Sequence, residues 1–362
     1  MNKRYIIYFL TYFCLFNIIV ERSYSQTKKE IIEYRGEVFI SYDYTFIGES
    51  LFKPSAIRVN PITNEIIILD EGNTCIYFFS NTGKFIKKIG RKGQGPGEFL
   101  GIKTMDIDKD GNIYVLDYRN SRMSIFDKIG HLKDTFRILG DEFTYLTITD
   151  DNTILINNAN KLYMNLTESP SRTIDEIRKS IYYYIYEYTL DGNLLHSIGV
   201  VPNINKIKMV NMEYAIGKPF KIYNHYYIFL RYLGTTKIFN QNGEVVQNNE
   251  MKNIDIYNEY KSLSYYNPSS TDLKNTGLYL FFNDVIINNG LFYILTRSSI
   301  YDKYKFYLYI LNNKLEIIKI IMFLSKIEID KGRMTEIALL PNEKFIHINS
   351  YYPEVFLYSI KK

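Results

Sequence analysis

The sequence has no tryptophan and only 2 cysteines among its 362 residues. Cys14 lies in an N-terminal apolar run, so a processed chain would keep Cys75 alone. One thiol cannot form an internal disulfide, and packing must therefore hold the fold together. Cys75 lies in an apolar, strand-like run, which favours a buried and inert thiol. The absence of tryptophan weakens a carbohydrate platform without excluding it, because tyrosine also stacks on sugars.

Neither sign of charge dominates the chain. It has 44 Lys and Arg against 39 Asp and Glu, a formal net charge of +5. The basic residues are spread along the sequence, which argues against a nucleic-acid-binding surface. Apolar residues make up 46% and charged residues 23%, as in ordinary globular proteins, so a sizeable core can form.

Long hydrophobic runs are also missing, except at residues 5–20. This run follows a short basic region and precedes a plausible cleavage site before Gln26, which predicts a signal peptide at residues 1–25. We therefore expect export to the periplasm, the cell surface or the medium, with no membrane span after processing. The run is shorter than the ~20 residues of a spanning helix. A retained anchor and a lipid attached to Cys14 remain as alternatives.

What the chain does contain is a repeat. Residues 54–90 align with residues 102–138, and NEIIILDEGN in the first unit matches GNIYVLDYRN in the second. Each unit has four short apolar or alternating runs separated by turn residues such as Asp110-Gly111. Four strands joined by tight hairpins form one antiparallel sheet.

Fainter copies continue to the end of the chain and bring the total to six. The last copy has only three strands, and an N-terminal run at residues 37–46 can supply the fourth. Small sheets that pack face to face around an axis form a β-propeller, and this N-terminal strand would close the ring. The sequence therefore predicts an all-β, six-bladed propeller in one domain, residues 26–362, with one helix in the insertion at 167–180. The predicted blades are residues 54–99, 100–140, 141–202, 212–251, 278–324, and 327–362 with 37–47.

The best-defined repeat resembles a known family. Its glycine-rich segment runs from Gly90 to Phe99, and DGNIYVLD follows at residues 110–117, then Arg122 and a strand that ends in Phe126-Asp127. This pattern is similar to the NHL repeat of NHL and TolB-like six-bladed propellers, and the whole chain looks like the secreted propellers of Bacteroidota. The proline usual after the GxF segment is absent, and blades three to six lack the glycine-rich loop.

The segment GRKGQGPGEF at residues 90–99 raises the question of a phosphate-binding loop. Such a loop needs a helix after it, whereas apolar strands flank this one on both sides. A connection between two blades explains the glycines, which supply positive φ angles, and the proline, which stiffens the turn. Arg91 and Lys92 remain candidates for binding an acidic ligand.

Residues 106–117, DIDKDGNIYVLD, match several positions of a calcium-binding loop. The candidate metal ligands are Asp106, Asp108, Asp110 and Asp117, and calcium is the possible cofactor. The alternative is structural, because an Asp-Gly-Asn hairpin and strand alternation give the same pattern. In that interpretation, Asp70 and Asp117 end equivalent strands and accept hydrogen bonds from the backbone of the next turn.

No Ser-His-Asp pattern or nucleophile elbow is present, and the four histidines lie in different predicted blades. Our first hypothesis is an exported, non-catalytic binding or scaffold protein for a peptide, a protein partner or a glycan. The resemblance supplies a second, because six-bladed propellers include metal-dependent hydrolases and lyases with acidic and histidine ligands in the central channel. A third is a structural role in an envelope assembly, for which a large exposed apolar patch is expected.

Overall fold

The computed structural model describes most of the chain. The described residues are 31–40, 50–138, 145–157, 183–201, 216–231, 234–254, 256–257, 281–297, 305–324, 335–340, 344–349 and 352–360. The chain divides into two compact units, residues 1–31 and 32–362, and the first lies outside the described residues except for Ile31. The predicted signal peptide and the predicted helix at 167–180 also lie outside them. No helix within the described ranges is long and apolar enough to span a bilayer.

Twenty-four strands make up the described structure. The first is β1 (Ile31–Ile40). Blade 1 consists of β2 (Pro54–Val59), β3 (Ile66–Asp70), β4 (Cys75–Phe79) and β5 (Phe85–Ile89). Blade 2 consists of β6 (Ile102–Ile107), β7 (Ile113–Asp117), β8 (Arg122–Phe126) and β9 (Leu132–Arg137). Blade 3 consists of β10 (Tyr145–Ile148), β11 (Thr153–Asn157), β12 (Tyr183–Thr189) and β13 (Leu194–Val200).

The other three blades follow in chain order. Blade 4 consists of β14 (Gly217–Ile222), β15 (His225–Leu230), β16 (Thr235–Phe239) and β17 (Val245–Glu250). Blade 5 consists of β18 (Asp284–Asn288), β19 (Leu291–Arg297), β20 (Lys305–Leu311) and β21 (Ile317–Leu324). Blade 6 consists of β22 (Thr335–Leu340), β23 (Lys344–Asn349), β24 (Tyr352–Ile360) and β1.

The blades form a closed ring, which confirms the predicted six-bladed propeller. The first strand of each blade is innermost and contacts the first strands of its neighbours, as β2 does with β6 and β22. The N-terminal strand β1 completes blade 6 by antiparallel pairing with β24, where Val38 lies opposite Phe356. This strand begins at Ile31 and not at residue 37, because its pairing already starts at Tyr34 opposite Ile360.

Among the described residues the hydrophobic core consists of six clusters, one between each pair of neighbouring blades. Between blades 1 and 2, Phe78 packs with Phe99 and Met105. Between blades 4 and 5, Phe220 and Phe292 lie in a larger and more aromatic cluster. Alternation along the strands places apolar side chains on both faces of each sheet, and each face is buried only by its neighbour in the ring.

The hairpins between the third and fourth strands repeat one hydrogen-bond pattern in five blades. A short polar side chain starts each turn and accepts hydrogen bonds from backbone N–H groups further along the same turn, as in an Asx turn. The side chains are Ser80, Asp127, Thr189, Asn240 and Asn312. Three residues after each, the backbone has a positive φ angle, at a glycine in four blades and at Leu315 in blade 5.

The second strands of blades 1 and 2 end in buried aspartates with equivalent partners. Asp70 accepts hydrogen bonds from the backbone N–H groups of Phe52 and Lys53, at 2.7 and 3.0 Å. Asp117 accepts them from Leu100 and Gly101, at 3.0 and 2.9 Å. Each carboxylate thus fixes the segment that enters its own blade. Each also accepts the predicted hydrogen bond from the next turn, Asp70 from Asn73 N and Asp117 from Asn120 N.

Candidate functional site

The inner strands place a set of polar side chains around the central channel. We call this set the channel belt; it contains one residue from each inner strand. Its members are Arg58, Asp106, Thr147, Lys218, Asp284 and Glu336. All six lie on strands that are otherwise mostly apolar, and burying charges without partners would cost several kcal/mol each. The belt therefore has to be internally paired.

Three ion pairs join neighbouring blades within the belt. Arg58 Nε lies 2.7 Å from Asp106 Oδ1, and Arg58 Nη1 lies 2.9 Å from Glu336 Oε2. On the opposite side of the ring, Lys218 Nζ lies 2.8 Å from Asp284 Oδ1, and both side chains are almost fully buried. These pairs connect blade 1 to blades 2 and 6, and blade 4 to blade 5.

The three belt carboxylates also bind the backbone of the next inner strand. Asp106 accepts a hydrogen bond from Ile148 N at 2.7 Å, and Asp284 accepts one from Ile337 N at 3.1 Å. Glu336 accepts one from Ile57 N at 3.2 Å. Each carboxylate thus joins two inner strands and satisfies an N–H group that the channel wall would otherwise leave without a partner.

The charges of the belt influence one another. Burial raises the pKa of Glu336, and the negative charge of Asp284 adds to this, although Arg58 and Lys218 oppose it. Burial disfavours the charged form of Arg58, but Glu336 and Asp106 outweigh that effect and raise its pKa. Arg58 thus stays charged, and Glu336 holds its proton more firmly than an exposed glutamate would.

One junction of the belt differs from the others. Between blades 3 and 4, Thr147 occupies the belt position on β10, and its Oγ1 is buried without a hydrogen-bond partner in the described part of the chain. A hydroxyl group in such surroundings normally binds a protein group or water. Thr147 is therefore the place where the belt has unused hydrogen-bonding capacity.

A cavity of about 290 Å³ opens above the belt, at the carboxyl ends of the inner strands. Arg58, Asp106, Thr147 and Lys218 form its polar floor, and Asp150 and the exposed Asn288 lie at its rim. The remaining wall is apolar and comes from Val59, Ile107, Ile148, Phe220, Ile286, Ile287, Ile337, Ala338 and Leu339. Apolar walls with a few convergent polar groups are typical of small-ligand sites.

The predicted ligand-binding residues Arg91 and Lys92 lie elsewhere, on the loop that joins β5 to β6. They line a second cavity of about 420 Å³ together with Phe52 and Lys88. Arg91 pairs with Glu98 at 2.7 Å. A hydrogen bond from Gly95 N, together with Arg91, lowers the pKa of Glu98. An acidic ligand would have to compete with Glu98, and binding at Arg91 and Lys92 stays a prediction.

The loop itself is organised around a cation. Arg122 donates hydrogen bonds to the backbone carbonyls of Gln94, Gly95 and Glu98. A phosphate loop directs backbone N–H groups at an anion, whereas this loop directs three carbonyl oxygens at a guanidinium group. The loop therefore acts as a connection between blades, as its flanking strands predicted.

The four predicted calcium ligands are not gathered in one place. Asp106 belongs to the channel belt, and Asp117 binds the segment entering blade 2. Asp108 accepts hydrogen bonds from Asp110 N at 3.0 Å and from the Tyr114 hydroxyl at 3.1 Å. Among the residues that the structure describes, no three His, Cys, Asp or Glu side chains lie close enough to hold a metal ion. A calcium site stays one of the two predicted alternatives, and the structural alternative accounts for the hydrogen bonds of Asp108 and Asp117.

Sequence reasoning reached Asp106 but missed the rest of the belt. Arg58 and Asp106 already occupy the same place when the two clear repeats are aligned, as the central residues of AIRVN and TMDID. A charged residue inside an apolar inner strand, at one position of successive repeats, is the signal that could have identified the belt. In blades 4 to 6 the repeats are too faint to align, so Lys218, Asp284 and Glu336 gave no such signal.

Comparison with known proteins agrees with this architecture. The model of the family DUF5128, described as 6-bladed beta-propeller, matches residues 49–252, more than half of the chain. No match to the sequence was found among curated proteins.

Solved structures are similar in fold at low identity. A streptogramin B lyase is 8% identical with a TM-score of 0.53, over 91% of this chain and 98% of that chain. A protein described as exported, from Bacteroides fragilis, is 12% identical with a TM-score of 0.51, over 92% and 100% of the two chains. The WD40 repeats of RRP9 are 9% identical with a TM-score of 0.51, over 90% and 97%. At identities this low, the similarity shows a shared fold and gives no information about activity.

Proposed function

The chain belongs to this six-bladed β-propeller family, and we propose that it is an exported, non-catalytic binding protein whose channel mouth holds part of a peptide or protein partner. The observation that carries the proposal is the cavity above the belt, where apolar walls surround a floor with charged donors. Within the family we assign it to the NHL type, supported by the repeat at residues 90–127.

The chemistry of the cavity favours a peptide over a glycan. Sugars are usually held by exposed aromatic faces, whereas this wall is mainly aliphatic, with Phe220 as its only aromatic member among the described lining residues. A peptide segment offers both an apolar side chain for the wall and polar groups for Arg58 and Lys218. The volume of about 290 Å³ suits one residue and not an extended ligand.

Export is supported by the N-terminal sequence. The basic start, the apolar run at residues 5–20 and the small residues before Gln26 have the layout of a cleaved signal peptide. The exported protein from Bacteroides fragilis has the same fold, and its location is consistent with that proposal.

A blocking substitution tests the binding site. Asn288 is exposed at the rim of the cavity, so Asn288→Trp should fill the mouth without disturbing the core. Asn242→Trp is the matched control, because Asn242 is exposed on a hairpin of blade 4 and does not line the cavity. The measurement is equilibrium binding of a random peptide library to the wild type and to each variant.

We expect peptides that bind the wild type and Asn242→Trp equally and bind Asn288→Trp at least about tenfold more weakly, a loss of ~1.4 kcal/mol. If no peptide binds the wild type, or if Asn288→Trp binds as well as the wild type, the channel mouth is not the binding site.

A further inference from the structure

The belt's hydrogen-bonding capacity is unevenly used. Each belt carboxylate already accepts at least two hydrogen bonds. Asp106 binds Arg58 Nε and Ile148 N, and Glu336 binds Ile57 N and Arg58 Nη1. Asp284 binds three donors, Lys218 Nζ, Val285 N and Ile337 N. Asp106, the belt carboxylate on the cavity floor, is thus already bound by two protein donors.

The donors on the floor have unused capacity. An ammonium group has three N–H bonds, and the only hydrogen bond that Lys218 Nζ makes with the described residues is to Asp284. The neighbouring Thr147 Oγ1 is buried and has no partner in the described part of the chain. Both residues line the cavity, on the adjacent inner strands β10 and β14. The free capacity at the junction of blades 3 and 4 thus includes two N–H groups of Lys218, which can only donate, and the hydroxyl group of Thr147, which can donate as well as accept.

We propose that the cavity binds the C-terminal carboxylate of a peptide, held by the Thr147 hydroxyl and the Lys218 ammonium group. This inference rests on the proposed function and specifies its ligand. A carboxylate would complete the belt at the one junction where the described residues leave it open, and charge-assisted hydrogen bonds are about twice as strong as neutral ones.

The surroundings select which carboxylate fits. The side chain of the terminal residue would lie against Phe220, Ile286 and Ile287, so an apolar residue is favoured. Asp150, at the rim, would repel a second carboxylate and can accept the N–H of the peptide bond. Arg58 and Lys218 supply positive charge at the floor and offset the belt carboxylates with which they pair.

The test uses small probes and an isosteric substitution. N-acetyl-L-leucine presents a terminal carboxylate and an apolar side chain, N-acetyl-L-leucinamide lacks only the charge, and free L-leucine carries an ammonium group in place of the peptide bond. Thr147→Val removes the hydroxyl group and keeps the volume. Replacing Lys218 would leave Asp284 buried and unpaired, and that variant is expected to fold poorly.

Thr236→Val provides the matched control. Thr236 is also buried, its hydroxyl also has no hydrogen-bond partner within the described residues, and it does not line the cavity. Calorimetric titration of the full protein with each probe gives the dissociation constants. Thermal unfolding of both variants shows that the fold is retained.

We expect the wild type and Thr236→Val to bind N-acetyl-L-leucine equally, and the amide about tenfold more weakly or worse. Thr147→Val should lose about tenfold for the acid and little for the amide, as expected for one hydrogen bond to a charged group. Tighter binding of free L-leucine than of the acetylated form would overturn the peptide assignment in favour of a free amino acid.

Equal binding of acid and amide, an unchanged affinity in Thr147→Val, or no binding of any probe would overturn the carboxylate site. The proposed function fails separately, since it requires only that library peptides bind and that Asn288→Trp blocks them. Another outcome is that Asn288→Trp blocks peptides whose affinity is the same with a terminal carboxylate and with a terminal amide. In that outcome the proposed binding function stands, and the carboxylate assignment is wrong.

Discussion

The junction of blades 1 and 2 adds hydrogen bonds between side chains and backbone to its apolar cluster, whereas the junctions of blades 4 to 6 are rich in aromatic side chains. In the first region, Asp117 and Arg122 fix the glycine-rich loop that crosses from one blade to the next. In the second, Phe292 packs against Phe220 and Phe229, with ring centroids 5.7 and 4.9 Å apart. The same blade geometry is therefore reached by two different kinds of contact.

The difference explains why the repeat fades along the chain. A loop held by backbone hydrogen bonds needs a carboxylate at one place and positive φ angles at others, as at Gly90 and Gly97. Those requirements fix residue types and their order, and they produce a recognisable motif. Aromatic packing needs mainly volume and shape, which many sequences supply, so it leaves no fixed pattern.

The largest effect should come from removing an aromatic side chain between blades 4 and 5. Phe292 is fully buried, and Phe292→Ala should cost about 4 kcal/mol, because the surroundings only partly fill the cavity it leaves. Phe292→Leu, which keeps most of the volume, should cost under about 1.5 kcal/mol. Urea unfolding measures both, and equal losses would show that volume is not what this interface requires.

The first region should be most sensitive at a carboxylate. Asp117→Ala leaves the backbone N–H groups of Leu100 and Gly101 without their buried acceptor, and we expect a loss of about 3 kcal/mol. Asp134→Ala, at an exposed position on β9, should change stability by less than about 0.5 kcal/mol. A loss below about 1 kcal/mol for Asp117→Ala in urea unfolding would mean that the loop is held by other contacts.

Mild acid should lower the free energy of unfolding through His347, which lies in the aromatic region. This side chain is buried beside Phe306, and burial lowers its pKa to about 4, although Asp284 opposes the shift. The unfolded chain takes up the proton near pH 6.5 and the folded chain only near pH 4. Stability is therefore complete above pH 6.5 and falls by up to ~3 kcal/mol as the pH drops to about 4.

Two histidine variants isolate this contribution. His347→Phe removes the titrating group from the cluster, so its unfolding free energy should fall less than that of the wild type between pH 6.5 and 4. His131→Phe changes an exposed ring outside this cluster and serves as the matched control. Superimposable profiles for the wild type and His347→Phe would show that this histidine does not contribute.

Alanine substitutions at two glycines of the glycine-rich loop should have smaller effects on stability. They distinguish the cost of backbone conformation from the cost of packing. Gly97 has a φ of 74°, and no atom lies within 4 Å of the Cβ that alanine would add. Gly97→Ala should therefore cost only the conformational penalty, about 1 kcal/mol. Gly90 has a φ of 81° as well, but an added Cβ would collide with the Phe99 ring, so Gly90→Ala should cost more. Equal costs in urea unfolding would contradict this distinction.

Calcium should have the smallest effect. The carboxylates of Asp106, Asp108 and Asp117 are occupied by protein donors, so we expect no change in the thermal midpoint on adding calcium or a chelator. A midpoint that rises with calcium and falls with the chelator would show that the folded state binds the ion. That result would favour the metal-dependent enzyme hypothesis over the binding protein.

The fold was predictable from the sequence because turn chemistry is local. The hairpins at Thr82-Gly83 and Asp110-Gly111 mark strand ends directly, and turns of this kind in successive repeats predict a ring of blades. The candidate site was largely hidden, because Arg58 and Lys218 are 160 positions apart in the sequence and share only their place on an inner strand. Which side chains meet across a channel depends on the ring as a whole, and no local pattern encodes it.

Closure of the ring by β1 has a consequence for the order of folding. Val38 pairs with Phe356, so a strand that is synthesised early has its partner in a strand that is synthesised more than 300 residues later. Hairpins within each blade can form as the chain emerges, whereas this contact must wait and then close a very long loop. We therefore expect closure to be the slow step of folding, with an unpaired edge exposed to aggregation until it is complete.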